Sequence, residues 1–422
     1  MKWKWIVLGL ILGPSVSFAQ VLEDRIFVDH IQSARLFPQG PGVDSQLDAP
    51  VVSLSDARQL VLVFDDLAYD PELYTAKLVH CDVDWKKSAL KDNDFSTSFN
   101  EFNVQDYAYS VNTRIPYIHY TFSLPRVTKS GNYILKVYKN RNENDVVLTR
   151  RFMVYEESAV VGASIVPPNQ TEDRRELQQI NTVVNYSNLD AVDPSTQFKV
   201  VIRQNQRWDN SKFLSKPTFL NQSSKIMRFE PFEGESTFKA GNEFRFIDLR
   251  FIRATGVNVG SVKVEETIIL VEALLDNPRP GGAYSQYLDL NGQYLVLTND
   301  RPGGNPEVES EYLYTTFSLK ADPGQSIRML GSLTGWGKLP ESKLVYDSKL
   351  NLYTTSLLLK QGWYDYQYVE EVSVGNFESD SFEGSHFQTE NEYEVLVYYR
   401  ALGSRYDQLV GYAFIQPNRR RL

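Results

Sequence analysis

The side chains able to do chemistry are few and scattered. The 422-residue chain has four histidines, His30, His80, His119 and His386, and one cysteine, Cys81. They come nearest to a pattern in the run His80-Cys81-Asp82-Val83-Asp84. On an uninterrupted strand His80, Asp82 and Asp84 would share one face, as three metal ligands could. Nothing else in the sequence extends that set, so neither a metal nor a cofactor is expected. A reactive thiol would need an electropositive, accessible setting. Cys81 instead ends the strand-like run Lys77-Leu78-Val79-His80, which favours a buried structural role. The sequence holds no Gly-x-Ser-x-Gly elbow, His-Glu-x-x-His pair or phosphate loop. A glycosidase pair could hide among its 53 acidic residues, because that spacing is spatial rather than sequential. The chain reads as a non-enzyme.

The elements that must position any site begin after an export signal. Residues 1–19 combine Lys2 and Lys4, an apolar Ile6–Leu12 core and a Ser17-Phe18-Ala19 cleavage pattern. The apolar run is far shorter than the roughly 20 residues a spanning helix needs. Gln20, not cysteine, follows the cut, so lipid attachment is not expected. Losing two lysines moves the formal charge from −9 to −11. An acidic chain is a poor partner for nucleic acid or an anionic surface, since both reward Lys/Arg excess. With one cysteine there is no internal disulfide, and packed cores must supply stability.

Short alternating runs separated by turns, with no long helix, predict an all-β fold of consecutive antiparallel, immunoglobulin-like β-sandwich domains in an elongated array. The expected divisions are an N-terminal sandwich over 20–157, a middle β domain with a linker over 158–305, and a C-terminal immunoglobulin-like domain over 306–422. Gln59–Asp65, Tyr74–Cys81, Ile115–Leu124, Tyr133–Tyr138 and Val146–Tyr155 are the expected strands of the first domain. Pro167-Pro168-Asn169 opens the second, and the Pro/Gly-rich segments 277–282 and 301–306 read as linker punctuation. Charges on both faces of Phe244–Arg253 count against a membrane strand, whose lipid face stays apolar for about 10 residues.

Between Cys81 and Pro125 aromatic residues crowd among polar turn residues with little alternation. Connections beyond about 12–15 residues are uncommon unless functional or disordered. Phe95, Phe99, Phe102, Tyr107 and Tyr109 are costly to leave in water, so this stretch should pack on its own domain or on a partner.

The same stretch carries Asp82-x-Asp84-Trp85, Asp106-Tyr107-x-x-Ser110-x-Asn112-Thr113 and Tyr117-x-His119-Tyr120-x-Phe122-x-Leu124-Pro125. Further on stand Ser130-Gly131-Asn132-Tyr133, Thr149-Arg150-Arg151-Phe152, Gln204-Asn205-x-Arg207-Trp208-Asp209, Gly241-Asn242-Glu243-Phe244-Arg245 and Asn391-Glu392-Tyr393. In this order the chain resembles the type IX secretion system plug protein family over nearly all its mature length. The resemblance implies a periplasmic, non-enzymatic protein that occludes the inner mouth of a large outer-membrane β-barrel translocon, with no catalytic residues. For partner contact the aromatic stretch offers Phe95, Phe99, Tyr107 and Tyr109.

A second likeness lies in Met329–Trp336, Leu352-Tyr353 and Gly362–Tyr368, which resemble the glycogen-binding type of immunoglobulin-like module. In such modules aromatic rings stack on sugars, and Trp336 and Trp363 are the nearest candidates here. The competing expectations are therefore a carbohydrate-binding protein of the periplasm or cell surface and, more remotely, a glycan hydrolase.

Overall fold

The computed structural model describes residues 22–170, 174–232, 234–301 and 303–416; the expected signal segment lies outside them. The fold is all-β, with six sheets paired into three sandwiches. In the first, Arg25–Ile26, Val146–Tyr155, Gly131–Lys139, Tyr74–Cys81 and Phe102–Val104 form one sheet in that order, and Val51–Ser53 joins Val146–Tyr155 in parallel. The facing sheet runs Ile31–Pro38, Leu60–Asp66, Ile118–Ser123, Asp106–Tyr109. Leu62, Phe64, Tyr74, Leu78, Tyr120, Tyr133, Leu135 and Phe152 fill the space between them. Leu60–Asp66 is buried along its whole length, which is why its sequence is a continuous apolar run rather than an alternation.

The stretch after Cys81 is not an unstructured connection. It makes a short helix, Asp92–Phe95, then Phe102–Val104 on the edge of the first sheet and Asp106–Tyr109 on the edge of the second. Gln105 alone separates the two strands, so the chain steps between sheets at the rim of the sandwich. Strands of three and four residues are too short to show a period, which is why they looked like loop.

The middle sandwich pairs a sheet of Val160–Val166, Leu177–Asn185, Ile226–Phe229 and Phe219–Asn221 with one of Lys212–Leu214, Phe198–Gln204, Tyr393–Tyr399 and Gln408–Ile415. Its last two strands come from the far end of the chain. The third sandwich, built from strands between Arg245 and Glu378, is thus inserted into the middle one. The expected divide near residue 305 does not match this topology. Strand pairing is a matter of space rather than order, and the Pro/Gly-rich segment 277–282 and residues 303–305 of the second such segment lie in connections within the third sandwich. The connections that cross between the two sandwiches are 240–244 and 379–392, and they are bonded to each other: His386 N donates to Gly241 O at 2.8 Å and Asn242 Nδ2 to Glu383 O at 3.0 Å.

Each sandwich packs on both others. Cys81, Val83, Trp85 and Met153 of the first meet Val201, Leu396, Tyr398 and Leu409 of the middle one in an apolar joint. Trp85 and Trp208 touch edge-on at 4.8 Å, and Tyr398 Oη donates to Asn132 Oδ1 at 2.7 Å. Cys81 is fully buried there, and burial pushes its thiol up to about 12.

Candidate partner-binding surface

The four aromatics expected to meet a partner part company in the structure. Phe95 ends the helix Asp92–Phe95 turned inward, 1% exposed, with its ring 5.6 Å from Tyr133. It is a core residue and cannot serve as a contact. Phe99 lies in the following loop at 79% exposure, Tyr107 at 43% and Tyr109 at 54%. Tyr107 and Tyr109 stand two apart on one face of the edge strand, in register with Tyr120 and Ile118, and their rings meet at 6.0 Å. Among the described residues Asp106–Tyr109 pairs on one side only. An edge strand with exposed aromatics is a ready interaction surface.

Two neighbours escaped the sequence reading. Tyr69 and Leu73, 80% and 76% exposed, flank the turn before Tyr74. Glu72 N donates to Tyr120 Oη at 2.8 Å, and the Tyr120 ring lies 5.8 Å from Tyr107, which brings this turn to the same rim. The available signal was a tyrosine and a leucine around Asp70-Pro71-Glu72, apolar residues in a turn where no strand could bury them.

Behind this rim the outer face of the sheet is seated on the third sandwich through buried charges. Asp65 accepts from His119 Nδ1 at 2.6 Å, Tyr312 Oη at 2.7 Å and Lys360 Nζ at 2.5 Å. Lys360 also donates to Glu307 O at 2.6 Å and stands 4.2 Å from the centre of the Tyr117 ring. Arg35 pairs with Glu307 at 2.7 Å. Burial alone would raise the Asp65 carboxyl, but Lys360 and His119 outweigh it and the net shift is downward. Burial lowers Lys360, against the pull of Asp65 and Glu307. The contacts around Nζ, a carboxylate, a carbonyl and a ring face, are those of an ammonium, so we treat the pair as ionised.

The tryptophans expected to stack on sugars are occupied. Trp363 is 7% exposed, stacked on Phe246 at 4.3 Å, with Nε1 donating to Asp365 Oδ1 at 2.9 Å. No sugar can reach its face. Trp336, half-buried, wedges between the sandwiches, 6.0 Å from the Phe244 ring and 4.6 Å from the Arg207 guanidinium. It lies over Gly292, φ +79°, where an added Cβ would fall 2.4 Å from the indole.

The possible ligand set at His80 does not converge either. The strand ends at Cys81 and the chain turns, so His80 meets Ser88 and Ser130, Asp82 accepts from Asp407 N, and Asp84 pairs with Lys86. Among the described residues no group of three His, Cys, Asp or Glu side chains is placed to hold a metal. Nor is any helix among them long and apolar enough to cross a membrane.

These features define an all-β, three-sandwich protein whose candidate site is a surface. Residues 31–156, the first sandwich, match the family model for the type 9 secretion system plug protein first domain. The match ties that domain to type IX secretion. The whole fold is similar to the crystal structure of a hypothetical protein from Parabacteroides merdae ATCC 43184, with a TM-score of 0.86 and 27% identity over 93% of this chain and 99% of that one. No curated protein matches the sequence.

Proposed function

We propose that this protein is a periplasmic plug that docks on a large outer-membrane β-barrel translocon of the type IX secretion system and closes its periplasmic opening by bulk, without chemistry. The family match over residues 31–156 carries this reading. Two structural features support it. Three sandwiches that pack on one another through buried joints make a stiff body suited to occlusion. The rim formed by Tyr107 and Tyr109, with Tyr69 and Leu73, and the exposed Phe99 nearby in sequence offer aromatic area at small rotamer cost, as interface anchors do.

Deleting the protein should admit vancomycin to cells, and deleting the translocon as well should abolish the leak. The native protein should co-purify with a giant barrel, and Tyr107→Ser/Tyr109→Ser should release it while remaining folded. Unchanged permeability together with no co-purifying barrel would defeat the plug reading. Retained binding by the folded double variant would defeat only the contact surface.

A further inference from the structure

In an antiparallel ladder only every second residue turns its backbone groups toward a given neighbour, so the register of the edge strand Asp106–Tyr109 says which of its groups face outward. Ser110 N donates to Tyr117 O at 2.9 Å, and the pairing continues as Tyr109 with Ile118, Ala108 with His119, Tyr107 with Tyr120 and Asp106 with Thr121. Ala108 and Asp106 therefore bond to Ile118–Ser123, whereas Tyr107 and Tyr109 turn their N–H and C=O groups away from the sheet. The far side of Ile118–Ser123 agrees. Leu124 N donates to Leu60 O at 2.8 Å, which sends Phe122 and Tyr120 toward Leu60–Asp66 and leaves Thr121 and His119 for the edge strand. Among the described residues nothing bonds to the outward groups of Tyr107 and Tyr109, and all four residues of the strand are exposed.

Two residues further along, the same edge is already taken. Val111 donates its N–H to Val308 O at 2.8 Å, and its carbonyl accepts from Arg301 Nη1 at 2.9 Å, both from the third sandwich. The interface between the first and third sandwiches thus runs onto this edge and stops, with the unpaired groups of Tyr107 and Tyr109 directly beside it. Two N–H and two C=O groups repeating at strand spacing match the backbone of another extended chain. A surface of side chains would have to supply each donor and acceptor separately.

We infer that this edge takes an extended segment of the partner as an added β-strand, so that the contact of the proposed plug, the reading on which this inference rests, is made through backbone as well as rings. Tyr107 and Tyr109 share one face, so alternate side chains of the added strand lie beside their rings, and apolar residues two apart fit there. Asp106 on the strand, and Asp70 and Glu72 in the turn before Tyr74, are exposed acids. They suit a segment that carries Lys or Arg next to its apolar pair. A second copy of the chain would instead bring its own Asp106 to the shared edge, like charge against like. The third sandwich closes the end at Val111, so the added strand is short and enters from the Asp106 side.

Two substitutions at one position separate backbone pairing from ring contact. Tyr109→Ser removes the ring and keeps the N–H; Tyr109→Pro removes both, and because that N–H takes no part in the protein's own ladder, proline is tolerated on this edge. Titrated against the purified barrel, Tyr109→Pro should bind at least about tenfold more weakly than Tyr109→Ser at matching Tm. Hydrogen exchange on the unsubstituted protein should show the Tyr107 and Tyr109 amides slowed at least about tenfold in the complex relative to the free chain. Equal binding by the two variants, or amides left unslowed in a complex that does form, overturns strand addition and leaves the plug reading standing. Absence of any barrel complex together with unchanged permeability defeats the plug reading and this inference with it. A dimer of the chain that is lost in Tyr109→Pro assigns the edge to a second copy and overturns the inference too.

Discussion

The inserted third sandwich is held in two ways that differ in their charge. Its seat on the first sandwich sets Asp65 and Glu307 against Arg35 and Lys360, with His119 and Tyr312 completing the contacts of Asp65. Its clasp to the middle sandwich, where 240–244 and 379–392 cross, sets Asp276 and Glu383 on Arg245, with Glu383 also on Arg279, and brings Glu243, Asp289 and Asp365 near one another. The seat is balanced and the clasp is rich in acid. Burial pushes Asp365 up to about 8, with Glu243 adding to the shift, and burial with Asp365 and Glu243 nearby pushes Asp289 well above the usual carboxylate range. A pairing of opposite charges serves at the seat, whereas burial at the clasp favours the protonated form of its carboxyls. The two attachments of one domain should therefore respond differently to mutation and to pH.

The largest effect should come from unbalancing the seat. Lys360→Met leaves the Asp65 carboxylate buried beside only His119 and Tyr312, and breaking one side of a buried pair costs about 3–5 kcal/mol. Denaturant unfolding should show that loss, and Asp65→Asn added to Lys360→Met should recover part of it because the stranded charge is gone. A single-variant loss under about 1 kcal/mol would mean that the pair is not ionised as its contacts indicate.

At the clasp the expected signature is a slope. A carboxyl whose folded pKa lies above its unfolded value binds its proton more tightly when folded, so its contribution is complete at low pH. That contribution is lost as pH rises through the folded value, here about 8 for Asp365. Stability should decline between about pH 4 and 8, by up to roughly 1.4 kcal/mol per pH unit for one proton. Asp365→Asn should flatten that decline whatever it does to the absolute value, since Oδ1 and Oδ2 both accept hydrogen bonds that an amide cannot fully replace. His80 works in the other direction. Burial lowers it to about 4, so it destabilises the first sandwich as pH falls from its unfolded value near 6.5. A variant that keeps the full alkaline decline would move the proton from Asp365 to another carboxyl of the clasp.

The sequence discloses most where one rule acts alone. Tyr74–Cys81 and Val146–Tyr155 are legible as strands because long strands with a buried face carry their period openly. The insertion is not legible, since nothing local in Tyr393–Tyr399 says that its neighbour is Phe198–Gln204, almost two hundred residues earlier. Arg245 and Asp248 illustrate the same limit. As charges on Phe244–Arg253 they count only against a membrane strand and say nothing of burial, yet both are buried, Arg245 against Asp276 and Glu383 and Asp248 against Arg250. Partners that satisfy a buried charge lie far off in sequence. The aromatic stretch divides for a similar reason: Phe95 and Phe99 sit four residues apart in one polar context, and only the inward turn of a single helical turn sends the first to the core.

The smallest effect should come from the joint that neither attachment uses. Cys81 lies between the first and middle sandwiches among Val83, Trp85, Met153 and Leu396, and with its thiol pushed up to about 12 it stays uncharged at any ordinary pH. Cys81→Ala removes one buried sulfur from this apolar contact, and the loss should be on the order of 1 kcal/mol. Because no proton is exchanged there, the loss should be the same at pH 6 and pH 9, in contrast to Asp365→Asn, and co-purification with the barrel should be unaffected. Measured side by side, the two variants separate packing from protonation. A Cys81→Ala penalty that grew with pH would show that the apolar joint and the acid-rich clasp open together, and that the difference between attachments does not survive into the unfolding of the whole chain.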